Sequence, residues 1–146
     1  MMPYLIDTNV LSETLKPRPD PKVTAWFAGQ RPEDLFLSSV SLGELMRGAS
    51  RAKDQTKRGR LTRWIEDDLT AQFRDRVLPF NQDAAMLWGR IMGDGDKAGH
   101  PRSMADAQIA AVARRHGLTL VTRNTRDFES MDVALVNPWT SPPDNL

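Results

Sequence analysis

Short apolar runs alternate with helical patterns along this chain, and that alternation narrows its possible folds more than any other feature. Strands separated by helices need crossover connections. These are right-handed, lay the strands parallel and cover both faces of the sheet with helices. Tyr4-Leu5-Ile6, Leu35-Phe36-Leu37 and Leu118-Thr119-Leu120-Val121-Thr122 read as strands, with Val77-Leu78-Pro79 a weaker one and Ala134-Leu135-Val136 the last. The expectation is one α/β domain over residues 1–138, a central parallel sheet of about five short strands flanked by helices on both faces. Residues 139–146 are expected to form a short, loosely ordered tail.

Between the strands, residues 8–16 read as a helix stopped by Pro17-Arg18-Pro19-Asp20-Pro21. There Asp20 caps a second helix, with Pro21 in the tolerated first position. A helix is expected over about 41–52 and a long one over 54–73, where Leu61, Trp64, Ile65, Leu69 and Phe73 recur on one face. Asn81 caps a helix carrying Ala84, Leu87, Trp88, Ile91 and Met92, which Gly93-Asp94-Gly95-Asp96 is expected to fray. Ser103 opens the next helix and Gly117 ends it.

In such a sheet every strand ends, and every crossover helix begins, on one carboxyl edge, where open α/β folds place their ligands. Four acids belong there. Asp7 closes the first strand, Glu44 and Asp106 occupy expected first helical turns, and Asp127 follows the strand over 118–122. Topology thus joins residues about 40, 60 and 20 positions apart. Each acid also has an ordinary structural use. Ser41-x-x-Glu44 fits a capping box, Ser103-x-x-Asp106 is a near relative, Asp7 before Thr8 is a plausible N-cap, and Asp127 can structure a turn. Four independent caps, however, need not all select one edge of one sheet. Two ionised carboxylates ~4 Å apart repel by about 4 kcal/mol at an effective dielectric near 20. A hard divalent cation, Mg²⁺ or Mn²⁺, relieves this, since it takes carboxylate oxygen and keeps several waters. Such an ion activates water and neutralises charge on a phosphoryl oxygen, so the acids point to metal-assisted hydrolysis. On that chemistry Asp7 and Asp106 are expected to be the direct ligands, Glu44 and Asp127 to orient water or complete the shell, and Thr8, Asn9 and Thr122 to position ligands or phosphate by hydrogen bonds.

Four blocks carry a resemblance: Leu5-Ile6-Asp7-Thr8-Asn9-Val10-Leu11-Ser12-Glu13, Ser41-Leu42-Gly43-Glu44-Leu45-Met46-Arg47-Gly48, Met104-Ala105-Asp106-Ala107-Gln108-Ile109-Ala110-Ala111 and Val121-Thr122-Arg123-Asn124-Thr125-Arg126-Asp127-Phe128. Together, in this order and over essentially the whole chain, they resemble a PIN domain. More narrowly they resemble the VapC toxins of type II toxin–antitoxin pairs, in the branch that includes the FitB proteins. The resemblance implies a Mg²⁺- or Mn²⁺-dependent ribonuclease with Asp7, Glu44, Asp106 and Asp127 as its acidic quartet. It further implies a homodimer and a cognate antitoxin, often DNA-binding, that blocks the site, with a hetero-oligomer on operator DNA as an extension. Some relatives use the residue matching Asn124 or Thr122 in place of the fourth acid, which would leave Asp127 acting through water.

Composition adds little beyond exclusions. Lys and Arg number 20 against 19 Asp and Glu, a net charge of +1 that identifies no partner. With no cysteine, disulfides, thiolate zinc sites and cysteine nucleophiles are excluded, which suits a reducing cytoplasm. The N-terminal Met-Met-Pro-Tyr-Leu-Ile-Asp lacks a basic n-region and a long apolar core, and no apolar run approaches the roughly 20 residues of a membrane span. A soluble, intracellular, cytoplasmic protein is therefore expected, with no membrane partner.

Charge distribution is more informative. Arg47, Arg51, Lys53, Lys57, Arg58, Arg60 and Arg63 stand against Asp54 alone. This is either a solvated helix face or a phosphate-binding patch, and as the latter Arg47, Arg51 and Lys57 are the expected RNA contacts. Arg102 and Arg123 flank the acids and are candidates to hold the scissile phosphate. His100 and His116 have no spaced partner and are not expected to bind metal, while Trp26, Trp64 and Trp88 are expected in the core. Leu11, Leu15, Leu45 and Met46 are expected either to line a groove for an antitoxin helix or to belong to the core or the homodimer interface. Three rivals stand beside this reading. A haloacid-dehalogenase-type phosphatase needs a second Asp where Asn9 stands. A metal-free binding module would use the acids only as caps. An RNA-processing nuclease would have the same site but no antitoxin.

Overall fold

Within each strand, successive side chains point to opposite faces, and here the two faces bury two separate cores. The computed structural model describes residues 3–141, so the expectation for 142–146 falls outside the described residues. The strands are β1 (Tyr4–Ile6), β2 (Leu35–Ser38), β3 (Val77–Leu78), β4 (Thr119–Val121) and β5 (Leu135–Val136). They form one parallel sheet in the order β3-β2-β1-β4-β5, as expected. Leu5 and Leu120 face one core with Ile109, Val112 and Phe128. Ile6, Leu35, Leu37 and Val121 face the other with Val10, Leu11, Ile65, Leu69 and Phe73.

On that second face lie α1 (Thr8–Thr14), α2 (Pro21–Ala28), α3 (Ser39–Arg51) and α4 (Gln55–Arg63). Asp20 caps α2 as expected, accepting from Lys22 N at 2.9 Å. The start of α3 corrects the sequence reading. Its N-cap is Ser38, whose hydroxyl accepts from Val40 N at 3.0 Å, so the helix begins before residue 41 and no Ser41–Glu44 capping box forms. Ser41 is instead buried, its hydroxyl without a hydrogen-bond partner. The long helix expected over 54–73 is continuous in path but not uniform. After α4 the chain widens into a π-helical stretch, Trp64–Leu69, before a last short turn, α5 (Thr70–Gln72).

The first face is covered by α6 (Gln82–Lys97) and α7 (Met104–Arg115). Helix α6 does not fray at Gly93–Asp96; it runs to Lys97 because Gly95 is where the returning chain packs. A Cβ there would come within 2.9 Å of the His100 carbonyl and 3.0 Å of Arg102 Cγ. Helix α7 buries Ala107 and every residue from Ile109 to Ala113. It ends as expected at Gly117, whose φ of +65° allows a Schellman closure: Gly117 N–H donates to Arg114 O at 3.2 Å and Leu118 N–H to Ala113 O at 2.9 Å. Beyond β5 the packed body continues past residue 138, where the sequence placed the boundary. Trp139 packs on the second core, and Thr140 and Ser141 donate to the Asn137 carbonyl. Among the described residues no helix is long and apolar enough to cross a membrane.

Candidate active site

The strand order reverses direction between β1 and β4: from β1 the chain moves outward through β2 to β3, then returns to the other side of β1 for β4 and β5. A crevice at the carboxyl ends of the two central strands is the expected consequence. Ile6 pairs with Val121, so the next residues, Asp7 and Thr122, emerge side by side into that crevice, with Asp7 N–H on Val121 O at 2.9 Å. Asp7 also N-caps α1, its Oδ1 accepting from Thr8 N at 2.8 Å. Its Oδ2 accepts from the Thr122 hydroxyl at 2.7 Å and, more loosely, from Asn9 Nδ2 at 3.4 Å. The Thr122 hydroxyl in turn accepts from Asn124 N at 3.1 Å and Asn9 Nδ2 at 3.4 Å, so its single proton is committed to Asp7.

Burial nevertheless wins over these donors. Asp7 is 5% exposed, and desolvation raises its pKa against the lowering effect of the Thr122 and Thr8 bonds, with the Glu44 and Asp127 charges adding to the rise. Asp106, in the first turn of α7 with its N–H on the capping Ser103 hydroxyl, is pushed up to about 6. Desolvation is the main cause, followed by the charges of Asp7, Asp127 and Glu44. Glu44 sits in the second turn of α3, where Thr8 Oγ1 donates to its Oε1 at 2.8 Å. Asp127 lies on a 3₁₀ turn, Thr125–Phe128, pinned to the first core by buried Phe128. All four sequence-predicted acids therefore meet in one electrostatic neighbourhood.

The donor set, carboxylate oxygens with hydroxyl and amide neighbours, is of the kind a hard, oxygen-seeking cation takes. Among the described residues, no three Asp, Glu, His or Cys side chains draw close enough to enclose an ion by themselves.

The basic residues separate. Arg51 and Lys57 line a groove of about 1000 Å³ that begins at Thr8 and Glu44 and has Leu15, Leu45, Leu61 and Trp64 in its walls. Lys16 and Arg60 line it as well; the sequence placed Arg60 in the basic patch without choosing it as an RNA contact, and it passed over Lys16. Arg47 is exposed on α3 but not part of the lining. Arg102 folds back on α6 and donates from Nη1 to Ile91 O at 2.8 Å, which ties the chain before α7 in place. Arg123 lays its guanidinium 4.9 Å from the Trp139 ring centroid. Leu11 is core, whereas Leu15, 38% exposed, faces the groove. Trp88 packs edge-on to Phe80 and donates from its indole N–H to Met104 O at 3.2 Å; Trp26 packs on Tyr4. Both histidines are exposed. Asn137, also passed over in the sequence, reaches back from the end of β5 to the Arg123 carbonyl at 3.2 Å. The available signal was an amide residue placed directly after a parallel strand, at the ligand edge.

The PIN domain family model matches residues 4–134. Toxin FitB of Neisseria gonorrhoeae is 37% identical over 135 residues, covering 92% of this chain and 97% of the relative. VapC ribonuclease Y4jK of Sinorhizobium fredii is 35% identical over 135 residues, covering 92% and 96%. Among solved structures, FitAB bound to the IR36 DNA fragment superposes with a TM-score of 0.87 at 34% identity, over 95% of this chain and 97% of that one.

Proposed function

The chain belongs to the PIN-domain family, and from that premise we propose that it is a Mg²⁺- or Mn²⁺-dependent ribonuclease, the toxin of a toxin–antitoxin pair. One observation supports the chemistry: at the carboxyl ends of β1 and β4, Thr122 donates to Asp7 at 2.7 Å and Thr8 to Glu44 at 2.8 Å, while the charges of Asp7, Asp127 and Glu44 add to the desolvation that raises Asp106. The ribonuclease name of one relative and the toxin name of another support the biological role.

In this reading Asp7 and Asp106 hold the cation, which when bound lowers the pKa of water and offsets charge on a phosphoryl oxygen. Asp7 is pre-set for the task, since Thr8, Thr122 and Asn9 fix both of its oxygens. Thr8 engages Glu44 Oε1, which leaves Oε2 to orient the attacking water and take its proton. Asp127 is exposed and works through water rather than direct contact. Arg51 and Lys57, with Lys16 and Arg60, draw a single RNA strand along the groove toward these acids through its phosphates.

The partners follow from the same surface. A cognate antitoxin places an arginine or lysine among the acids and an apolar segment against Leu15 and Leu45, and the pair binds operator DNA. The toxin itself is a homodimer. The direct test uses purified protein freed of any partner and a labelled single-stranded RNA. Cleavage should require Mg²⁺ or Mn²⁺, stop in excess EDTA and vanish in Asp106→Asn. Undiminished cutting in either of the last two conditions would overturn the mechanism.

A further inference from the structure

The active-site acids are held by a turn that is itself held from behind. The turn is Thr122-Arg123-Asn124, directly after β4. Its Thr122 hydroxyl donates to Asp7, its Asn124 N–H donates to that hydroxyl, and its Arg123 N–H donates to Asn9 Oδ1 at 3.2 Å. That last bond sets the Asn9 amide so that its Nδ2 faces Asp7 and Thr122. On the side away from Asp7 and Asn9, the turn is gripped by residues that lie beyond β5. Asn137 Nδ2 donates to the Arg123 carbonyl, while Asn137 Oδ1 accepts from Trp139 N at 2.9 Å and thereby aims the amide. Trp139 packs against the second core, and its ring underlies the Arg123 guanidinium. A cation over an indole face is attracted by the ring's quadrupole, so the ring adds a second hold on the same residue.

We propose that Asn137 and Trp139 are positioning residues of the active site: they seat the Thr122–Asn124 turn, and through Asn9 and Thr122 they fix the Asp7 carboxylate. Asn137 touches neither substrate nor acid and acts two hydrogen-bonded steps away. This rests on the nuclease reading above, yet one arm of its test is independent of that reading.

In metal-free full-length protein, Asn137→Ala should speed hydrogen exchange of the Arg123 and Asn124 amides at least tenfold. The same variant should weaken Mn²⁺ binding and lower kcat by about tenfold or more, the usual effect of losing an outer-shell partner, with KM for RNA within about twofold of wild type. Asn137→Asp keeps the acceptor for Trp139 N–H but removes the donor to Arg123. Its added negative charge favours cation binding, so weaker Mn²⁺ binding in that variant reports the missing tether alone. Phe73→Leu, in the second core away from the carboxyl edge, serves as a destabilised control that should retain both Mn²⁺ affinity and turnover. Unchanged amide exchange in Asn137→Ala overturns the tether whatever the enzyme does. Faster exchange with unchanged Mn²⁺ affinity and kcat makes the contact merely structural and overturns the positioning role. A wild type that neither binds Mn²⁺ nor cuts RNA defeats the nuclease reading itself, a result distinct from both.

Discussion

Asp7 and Asp127 are both acids on the same edge of the same sheet, yet they are built in opposite ways. Asp7 is 5% exposed and both its oxygens accept hydrogen bonds. Asp127 is exposed, and among the described residues its side chain makes no hydrogen bond or ion pair. A carboxylate taken out of water costs free energy unless donors replace its hydration. The chain commits a backbone amide, a hydroxyl and a side-chain amide to the Asp7 carboxylate, and nothing comparable to Asp127. On the proposed reading, the buried Asp7 would be a fixed direct ligand at the β1–β4 junction, and the solvated Asp127 would act on a bound cation through water.

The sharpest way to break this contrast is to neutralise each acid without changing its shape. Asp7→Asn should reduce RNA cleavage on the order of 10³-fold, because it removes a direct ligand. Asp127→Asn should cost less than about tenfold, because water-mediated roles are replaceable. Equal losses in the two variants, measured as single-turnover rates, would erase the distinction. Next in size, Thr122→Val keeps the volume at β4's end but removes the proton donated to Asp7. Mn²⁺ affinity and kcat should drop about 10- to 100-fold, with little change in RNA binding.

A pH experiment sharpens the comparison at Asp106. Its folded-state pKa of about 6 exceeds the ordinary 3.8, so between those values the folded protein holds more protons than the unfolded chain. Stability of the metal-free protein should therefore fall as pH rises through that window. Asp106→Asn should show a shallower fall, keeping only the part due to the likewise raised Asp7, so its melting temperature should gain on wild type above about pH 6. Identical melting profiles from pH 4 to 7 would remove the burial and charge crowding assigned to this residue. The smallest expected effect lies in the groove. Arg51→Ala with Lys57→Ala should raise the RNA dissociation constant and reduce the salt slope by about one unit for each phosphate no longer neutralised, without moving the cleavage position. An unchanged salt slope would make these cations a solvated surface.

The sequence made the strands and the fixed corner legible because both depend on local pattern. Tyr4-Leu5-Ile6-Asp7 and Leu120-Val121-Thr122 announce where β1 and β4 end, and parallel topology does the rest. Glu44 was found at the right edge of the sheet but one turn too early in its helix. The Ser41–Glu44 spacing, which offered a capping box as the rival reading, is misleading, since Ser38 caps the helix and Ser41 is buried. Gly93 and Gly95 looked like helix breakers because the need for a missing Cβ at Gly95 arises only when Arg102 and His100 pack across it. The π-helical stretch at Trp64–Leu69 leaves the same apolar face as an α-helix and has no periodic signature. Asn137 carried only the weak signal of an amide directly after a strand, because its partner is set only once β5 pairs with β4 and brings it alongside Arg123.

The central claim is that the acids at the β1–β4 junction jointly bind a divalent cation. Calorimetric titration of Mn²⁺ into partner-free protein near pH 6, in buffers of different ionisation heat, tests it most directly. Wild type should bind with measurable proton release, since Asp106 is partly protonated there, and the release should shrink toward pH 8. Asp106→Asn should lose most of the affinity and the proton release together. Binding of equal strength in wild type and Asp106→Asn, with no proton released from either, would contradict the account.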